Sequence, residues 1–168
     1  IAQTANLNHA YMPMGAGFGD IDNDGFLDIY LGTGRPGLET LVPNAMLKNS
    51  AGKRFDDVTV PLGLGHLQKG HGVAFNDLDH DGDQDLFHQL GGFYPVDRYA
   101  NALFVNPGAD GSYLKVRLRG RESNRLGFGA RIRIEVEGRK KAHTIHRAAG
   151  SVSSFGGSTM RQEVGLGD

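Results

Sequence analysis

The chain has 168 residues, a formal net charge of −1, 39% apolar residues, 26 glycines and no cysteine. That length supports one ordinary domain or two small ones, and the missing cysteines exclude a disulfide framework. No apolar run approaches the ~18 residues of a membrane-crossing helix, and so much glycine favours tight turns over helices.

After a short polar segment, 1–14, the first organised stretch is Ala16-Gly17-Phe18-Gly19 leading into Asp20-Ile21-Asp22-Asn23-Asp24-Gly25-Phe26-Leu27-Asp28. Carboxylates stand at loop positions 1, 3, 5 and 9, with glycine at position 6. The same loop returns as Asp77-Leu78-Asp79-His80-Asp81-Gly82-Asp83-Gln84-Asp85. Like charges so close repel by roughly 1 to 4 kcal/mol per pair at about 4 Å, depending on screening. A divalent cation reverses the sign of that term, and glycine permits the sharp turn around it. All the ligands are oxygens on a flexible loop, which suits Ca²⁺ better than the strict octahedron of Mg²⁺. The expected ligands are Asp20, Asp22, Asp24 and Asp28 with the carbonyl of Phe26, and Asp77, Asp79, Asp81 and Asp85 with the carbonyl of Asp83. The Asp83 side chain is expected to point to water, and the two sites to be independent in geometry. EF-hands are excluded because position 12 is Leu31 or His88 rather than Glu, and because the flanks read as strands.

A shift of 57 residues superimposes more than the aspartates. Ala16-Gly17-Phe18 falls on Val73-Ala74-Phe75, Asp28-Ile29-Tyr30 on Asp85-Leu86-Phe87, and Asn44 to Asn49 on Asn101 to Asn106. A fixed period of this size, built from short apolar runs punctuated by Gly, Asn and Pro, predicts a β array such as a propeller. Strands are expected near 15–19, 28–32, 44–48 and 53–59 in the first copy.

Beyond Gly108 the charge reverses. Residues 1–112 hold 6 Lys+Arg against 14 Asp+Glu, a formal −8, whereas 113–168 hold 12 against 5, a formal +7. Strands are expected over Tyr113 to Arg119 and Ala130 to Glu137, then through a hairpin at Gly138-Arg139 into Lys141 to Arg147. Ile132, Ile134 and Val136 alternate with charged residues, so one face is buried and the other solvated.

These motifs carry a resemblance. Gly17-Phe18-Gly19-Asp20-Ile21-Asp22-Asn23-Asp24-Gly25 followed by Leu27-Asp28-Ile29 resembles an FG-GAP (VCBS-type) repeat, the blade of integrin-α-like propellers. The second copy is similar, with Asn76 in place of the glycine before the first aspartate. The resemblance implies Ca²⁺ in each acidic loop. Ser123-Asn124-Arg125-Leu126-Gly127-Phe128-Gly129-Ala130-Arg131-Ile132 is similar to the central signature of the ASPIC/UnbV domain. Tyr113 to Leu118, Gly156-Gly157-Ser158 and Gly165-Leu166-Gly167 are similar to its other landmarks.

The expected organisation is all-β: an N-terminal segment 1–14, repeats at 15–60 and 61–108, and a small sandwich- or barrel-like domain over 109–168. The same pairing of modules occurs in the cartilage acidic protein family and its bacterial homologues, which implies a secreted, periplasmic or surface location. A propeller needs about four to eight blades to close, and the ASPIC/UnbV pattern is shortened here. Exposed strand edges must be covered, so self-assembly or a protein partner is expected to make contact near 1–15 and 150–168.

Three functions fit these residues: a Ca²⁺-stabilised extracellular interaction module, a polyanion binder, or a fragment of a Ca²⁺-dependent hydrolase. The polyanion reading relies on Lys115, Arg117, Arg119, Arg121, Arg131, Arg133, Arg139, Lys140 and Lys141, the first four sharing one strand face, set against acidic polysaccharide or nucleic acid. Catalysis is not expected. His143 and His146 fall on opposite faces of one strand, His80 points outward, and Ser151, Ser153 and Ser154 read as a polar turn. No nucleophile elbow or phosphate loop occurs.

Overall fold

A computed structural model describes residues 1–108, 111–137 and 143–167. The described residues form strands β1 (Pro13–Gly19), β2 (Asp28–Thr33), β3 (Ala45–Ser50), β4 (Arg54–Asp57), β5 (Gly70–Asn76), β6 (Asp85–Leu90) and β7 (Ala102–Phe104). They continue with β8 (Ser112–Arg117), β9 (Arg131–Val136), β10 (His143–Ala148), β11 (Ser151–Ser153), β12 (Gly156–Ser158) and β13 (Arg161–Gly167). Pro95–Asp97 makes one short 3-10 turn. The molecule is all-β, and no helix among the described residues is long and apolar enough to cross a membrane.

The 57-residue period is a structural period. Phe18 lies opposite Ile29 and Ile29 opposite Leu47, as Phe75 lies opposite Leu86 and Leu86 opposite Phe104. The connections repeat as well. Asn44 Oδ1 accepts from Thr33 N at 2.7 Å and Asn101 Oδ1 from Leu90 N at 3.2 Å, so each asparagine closes the end of its hairpin. The first repeat is a four-stranded antiparallel sheet in the order β1-β2-β3-β4. The second contributes three strands to a five-stranded sheet in the order β11-β12-β5-β6-β7.

The core lies between these two sheets, where Tyr30, Met46, Val73, Phe75 and Leu86 are buried together, with Ile21, Val58, Leu64 and Phe104 packed around them. Each large apolar side chain moved from water into this layer contributes about 1.5–3 kcal/mol. The sheets approach closely because β1 offers glycines to β5. A Cβ on Gly17 would meet both Val73 and Phe75. The alternation of β1 therefore buries Gly15, Gly17 and Gly19 and leaves Phe18 56% exposed on the opposite face.

Among the described residues no C-terminal sheet closes into a barrel. Strands β9 and β10 pair as one ribbon, β8 and β13 as another, and the β11–β12 hairpin joins the second repeat's sheet. Gly156 and Gly157 run parallel to Val73 and Ala74 on the β5 edge. The expected hairpin turn at Gly138-Arg139 lies outside the described residues. Ile132, Ile134 and Val136 are half-buried and alternate with exposed residues, as their pattern predicts.

Two edges expected to meet neighbours are covered from within. Phe55 N donates to Ala5 O at 2.9 Å and Asn6 Nδ2 donates to Phe55 O at 3.0 Å, so the N-terminal segment caps β4. Residues 156–157 cap β5. Residues 5–6 and 156–157 thus meet sheet edges of their own chain.

A buried ion pair that no local motif announces sits at the base of the 91–99 loop. Lys69 Nζ contacts Asp97 Oδ2 with the two side chains 1% and 8% exposed. Buried charges persist only when paired in this way, and the pair fixes where the loop leaves β6.

Candidate metal centres

Both acidic loops have the same backbone scaffold. Position 4 is in the left-handed region in each, at Asn23 (φ 55°) and His80 (φ 70°), and the position-6 glycines follow at φ 90° for Gly25 and 110° for Gly82. Glycine is required there twice over, since a Cβ on Gly25 would press on Ile145 and one on Gly82 would enter the Tyr113 ring. The last aspartate of each loop is a structural clamp. Asp28 accepts from Ile21 N at 3.0 Å and Asn49 N at 2.7 Å. Asp85 accepts from the equivalent Leu78 N and Asn106 N, each at 2.9 Å.

In the first loop Asp20, Asp22 and Asp28 converge, with one carboxylate oxygen from each within 4.8 Å of the others. In the second loop the converging set is Asp77, Asp79 and Asp81. Asp24 lies outside the first group, its Oδ1 turned back to Phe26 N at 2.8 Å. Asp85 lies outside the second, both its oxygens held by backbone donors. The Asp83 side chain does not point to water. It is 8% exposed, and its Oδ1 accepts from Asn23 Nδ2 of the first loop. The left-handed turn at Asn23 aims its amide across at the second loop, so the two sites share a hydrogen bond and are not geometrically independent.

The residues suit a hard cation. The donors are all carboxylate oxygens, and Asp22 Oδ1 and both Asp77 oxygens are buried without an aligned hydrogen-bond donor. Burial pushes Asp20 up to about 6, against the pull of the Arg147 guanidinium. It pushes Asp28 up to about 7, against the donations of Asn49 N and Ile21 N. Burial therefore penalises the charged form at both, and a nearby cation favours it.

Protein cations already lie against the loops, which resolves the opposed charges of the two halves of the sequence. Arg147 of β10 is buried, donating to Gly25 O at 3.0 Å and to Asp20 Oδ2 at 3.4 Å. Gly165 N of β13 donates to Asp20 Oδ2 at 3.1 Å. Lys115 of β8 meets Asp77 Oδ2 in an ion pair without hydrogen-bond alignment. Lys48 meets Asp22 Oδ2. Neither Arg147 nor Lys115 sits in a motif with the loop it contacts, so only the opposed net charges of the two parts of the sequence hinted that the basic part docks on the acidic loops.

The basic stripe is not continuous. Strand β8 ends at Arg117, so Arg119 and Arg121 do not continue its face. Lys115 is turned to Asp77, and exposed Arg133 pairs with Glu135 at 2.6 Å. Arg139, Lys140 and Lys141 lie outside the described residues. Among the histidines, His80 is exposed and His146 lies on the exposed face of β10, opposite half-buried His143. His88 is fully buried edge-on to Tyr30, ring centroids 5.1 Å apart, and neither ring nitrogen has a hydrogen-bond partner among the described residues. Ser151 and Ser153 lie on β11 and hydrogen-bond within its hairpin. Comparison of the chain with family models, curated proteins and solved structures finds no match.

Proposed function

We propose that this chain is a Ca²⁺-stabilised interaction module of the extracellular or cell-surface type, with one ion in each acidic loop. The observation that carries the reading is the convergence of three carboxylates in each of the two repeated loops, at positions 1, 3 and 9 in the first and at 1, 3 and 5 in the second. Asp20, Asp22 and Asp28 would hold one ion and Asp77, Asp79 and Asp81 the other, with Asp24, Asp85 and the carbonyls of Phe26 and Asp83 close enough in sequence to complete the shells. Bound metal would supply charge neutralisation and rigidity. Its structural consequence would reach beyond each loop, because β8, β10 and β13 rest on the same carboxylates. The resemblance to FG-GAP repeats followed by an ASPIC/UnbV domain supports this reading, including a secreted, periplasmic or surface location. The exposed apolar residues Phe18, Phe87 and Leu103 on the two repeat sheets favour action by docking protein. Isothermal calorimetry of the intact chain tests the metal assignment, with an expected stoichiometry of about two Ca²⁺ per chain. One ion or none would reject it.

A further inference from the structure

Among the described residues, the second repeat has no counterpart of the fourth strand of the first. In the first repeat the chain returns along β3 as β4, and Met46 is paired on its outer side. Its carbonyl accepts from Val58 N at 2.9 Å, and its N–H donates to Thr59 Oγ1 at 2.8 Å. Fifty-seven residues later the chain does not return. It crosses the acidic loops as β8 and pairs with β13 instead. Leu103, the equivalent of Met46, points the same two backbone groups outward from β7, and no described residue pairs with them.

Beside this edge runs a groove of about 1050 Å³. Val58, Leu62 and Leu64 of the first repeat form one wall, and Phe75, Leu86 and Phe104 of the second form the floor. The groove is continuous with the interface between the repeats, since Phe75 and Leu86 belong to the core and Val58, Leu64 and Phe104 pack against it. Leu103 and Val105 stand on its rim, 50% and 57% exposed.

We infer that the β7 edge docks an extended strand from a partner protein, whose backbone pairs with Leu103 while its apolar side chains enter the groove. Edge addition of this kind takes affinity from main-chain hydrogen bonds and specificity from pockets for alternate side chains. The occupant's chemistry follows from the first repeat. There β3 reads Ala45-Met46-Leu47-Lys48-Asn49, and β7 with its continuation reads the similar Ala102-Leu103-Phe104-Val105-Asn106. The segment that satisfies β3 carries Phe55 and Val58, three residues apart, among polar residues, so an extended segment mixing apolar with polar side chains is the chemistry that β7 fits. This inference rests on the interaction-module reading but not on the metal.

The probe is a labelled synthetic peptide with the sequence of residues 54–64, titrated into the whole chain with Ca²⁺ and with chelator. Saturable binding is expected, with amide shifts at Leu103 and Val105 rather than at Met46 and Lys48. N-methylation of the peptide at Val58, whose N–H pairs inward with Met46 O in the chain, should weaken binding about tenfold, the loss of one backbone hydrogen bond and the clash that replaces it. N-methylation at Phe55, whose N–H faces away toward Ala5 O, should change it less than twofold. No binding at millimolar peptide, equal effects of the two methylations, or shifts at Met46 would overturn the inference. So would a chain that already self-associates through β7, because the occupant would then be a second copy. Calcium stoichiometry measured on the same sample separates the readings. Two bound ions with no peptide binding would sink the docking edge and leave the metal assignment standing.

Discussion

The double variant Asp22→Ala, Asp79→Ala separates a metal ligand from a fold-supporting carboxylate. Asp22 and its Lys48 partner are 31% and 37% exposed, so losing that contact without metal costs about 0–1 kcal/mol. Asp79 is exposed, and its Oδ1 accepts a hydrogen bond from Asp81 N at 3.3 Å. The metal-free variant should therefore melt within a few degrees of the metal-free parent. Calcium that binds only the native state stabilises by about 2.7 kcal/mol per site at a hundredfold excess over Kd. For a chain of this size that corresponds to roughly 5–11 °C per filled site. The parent should show two such increments on adding Ca²⁺ and lose them with chelator, whereas the variant should show neither. Differential scanning calorimetry at fixed ionic strength reads both. A parent indifferent to chelator, or a variant that keeps the full calcium shift, would refute the ligand assignment.

Lys115→Met should tighten calcium at the second loop several-fold, because an ammonium no longer competes for the Asp77 carboxylate; unchanged or weaker affinity by calorimetry would contradict this. Burial holds His88 down to about 4, so the unfolded chain takes up the proton first as pH falls. Stability is therefore lost between about 6.5 and 4, by at most roughly 3 kcal/mol. Urea unfolding of His88→Leu, which installs the residue at the equivalent position of the first repeat, should show this acid-side slope reduced, and an unaltered slope would place its origin elsewhere. Gly17→Ala and Val73→Ala should each cost about 1–3 kcal/mol, by overpacking and by a cavity respectively. Their combination should cost less than the sum, since the space vacated at Val73 accepts the new methyl. Strict additivity would mean that the β1–β5 approach is not the constraint.

The sequence by itself carried the repeat, its strands and the loops. Those features depend on residues a few positions apart: a glycine that admits a positive φ, carboxylates on alternate loop positions, and apolar residues at period two. Interactions of that range are set by backbone geometry and repeat wherever the pattern repeats, which is why β1 and β2 recur as β5 and β6 at the same spacing. The tertiary structure alone decided what the loops and edges meet. Asn23 reaches Asp83, Arg147 reaches Asp20 and Lys69 reaches Asp97 across separations of 60, 127 and 28 residues. Nothing local distinguishes these side chains from others of their type. Their pairing follows from the path by which β8, leaving the fourth-strand position of the second repeat, carries the basic half of the chain over the acidic loops. The same path leaves β7 open while residues 5–6 and 156–157 close the edges at β4 and β5. Which edge stays free is a property of the whole fold, because a strand edge is covered only by what the rest of the chain brings to it.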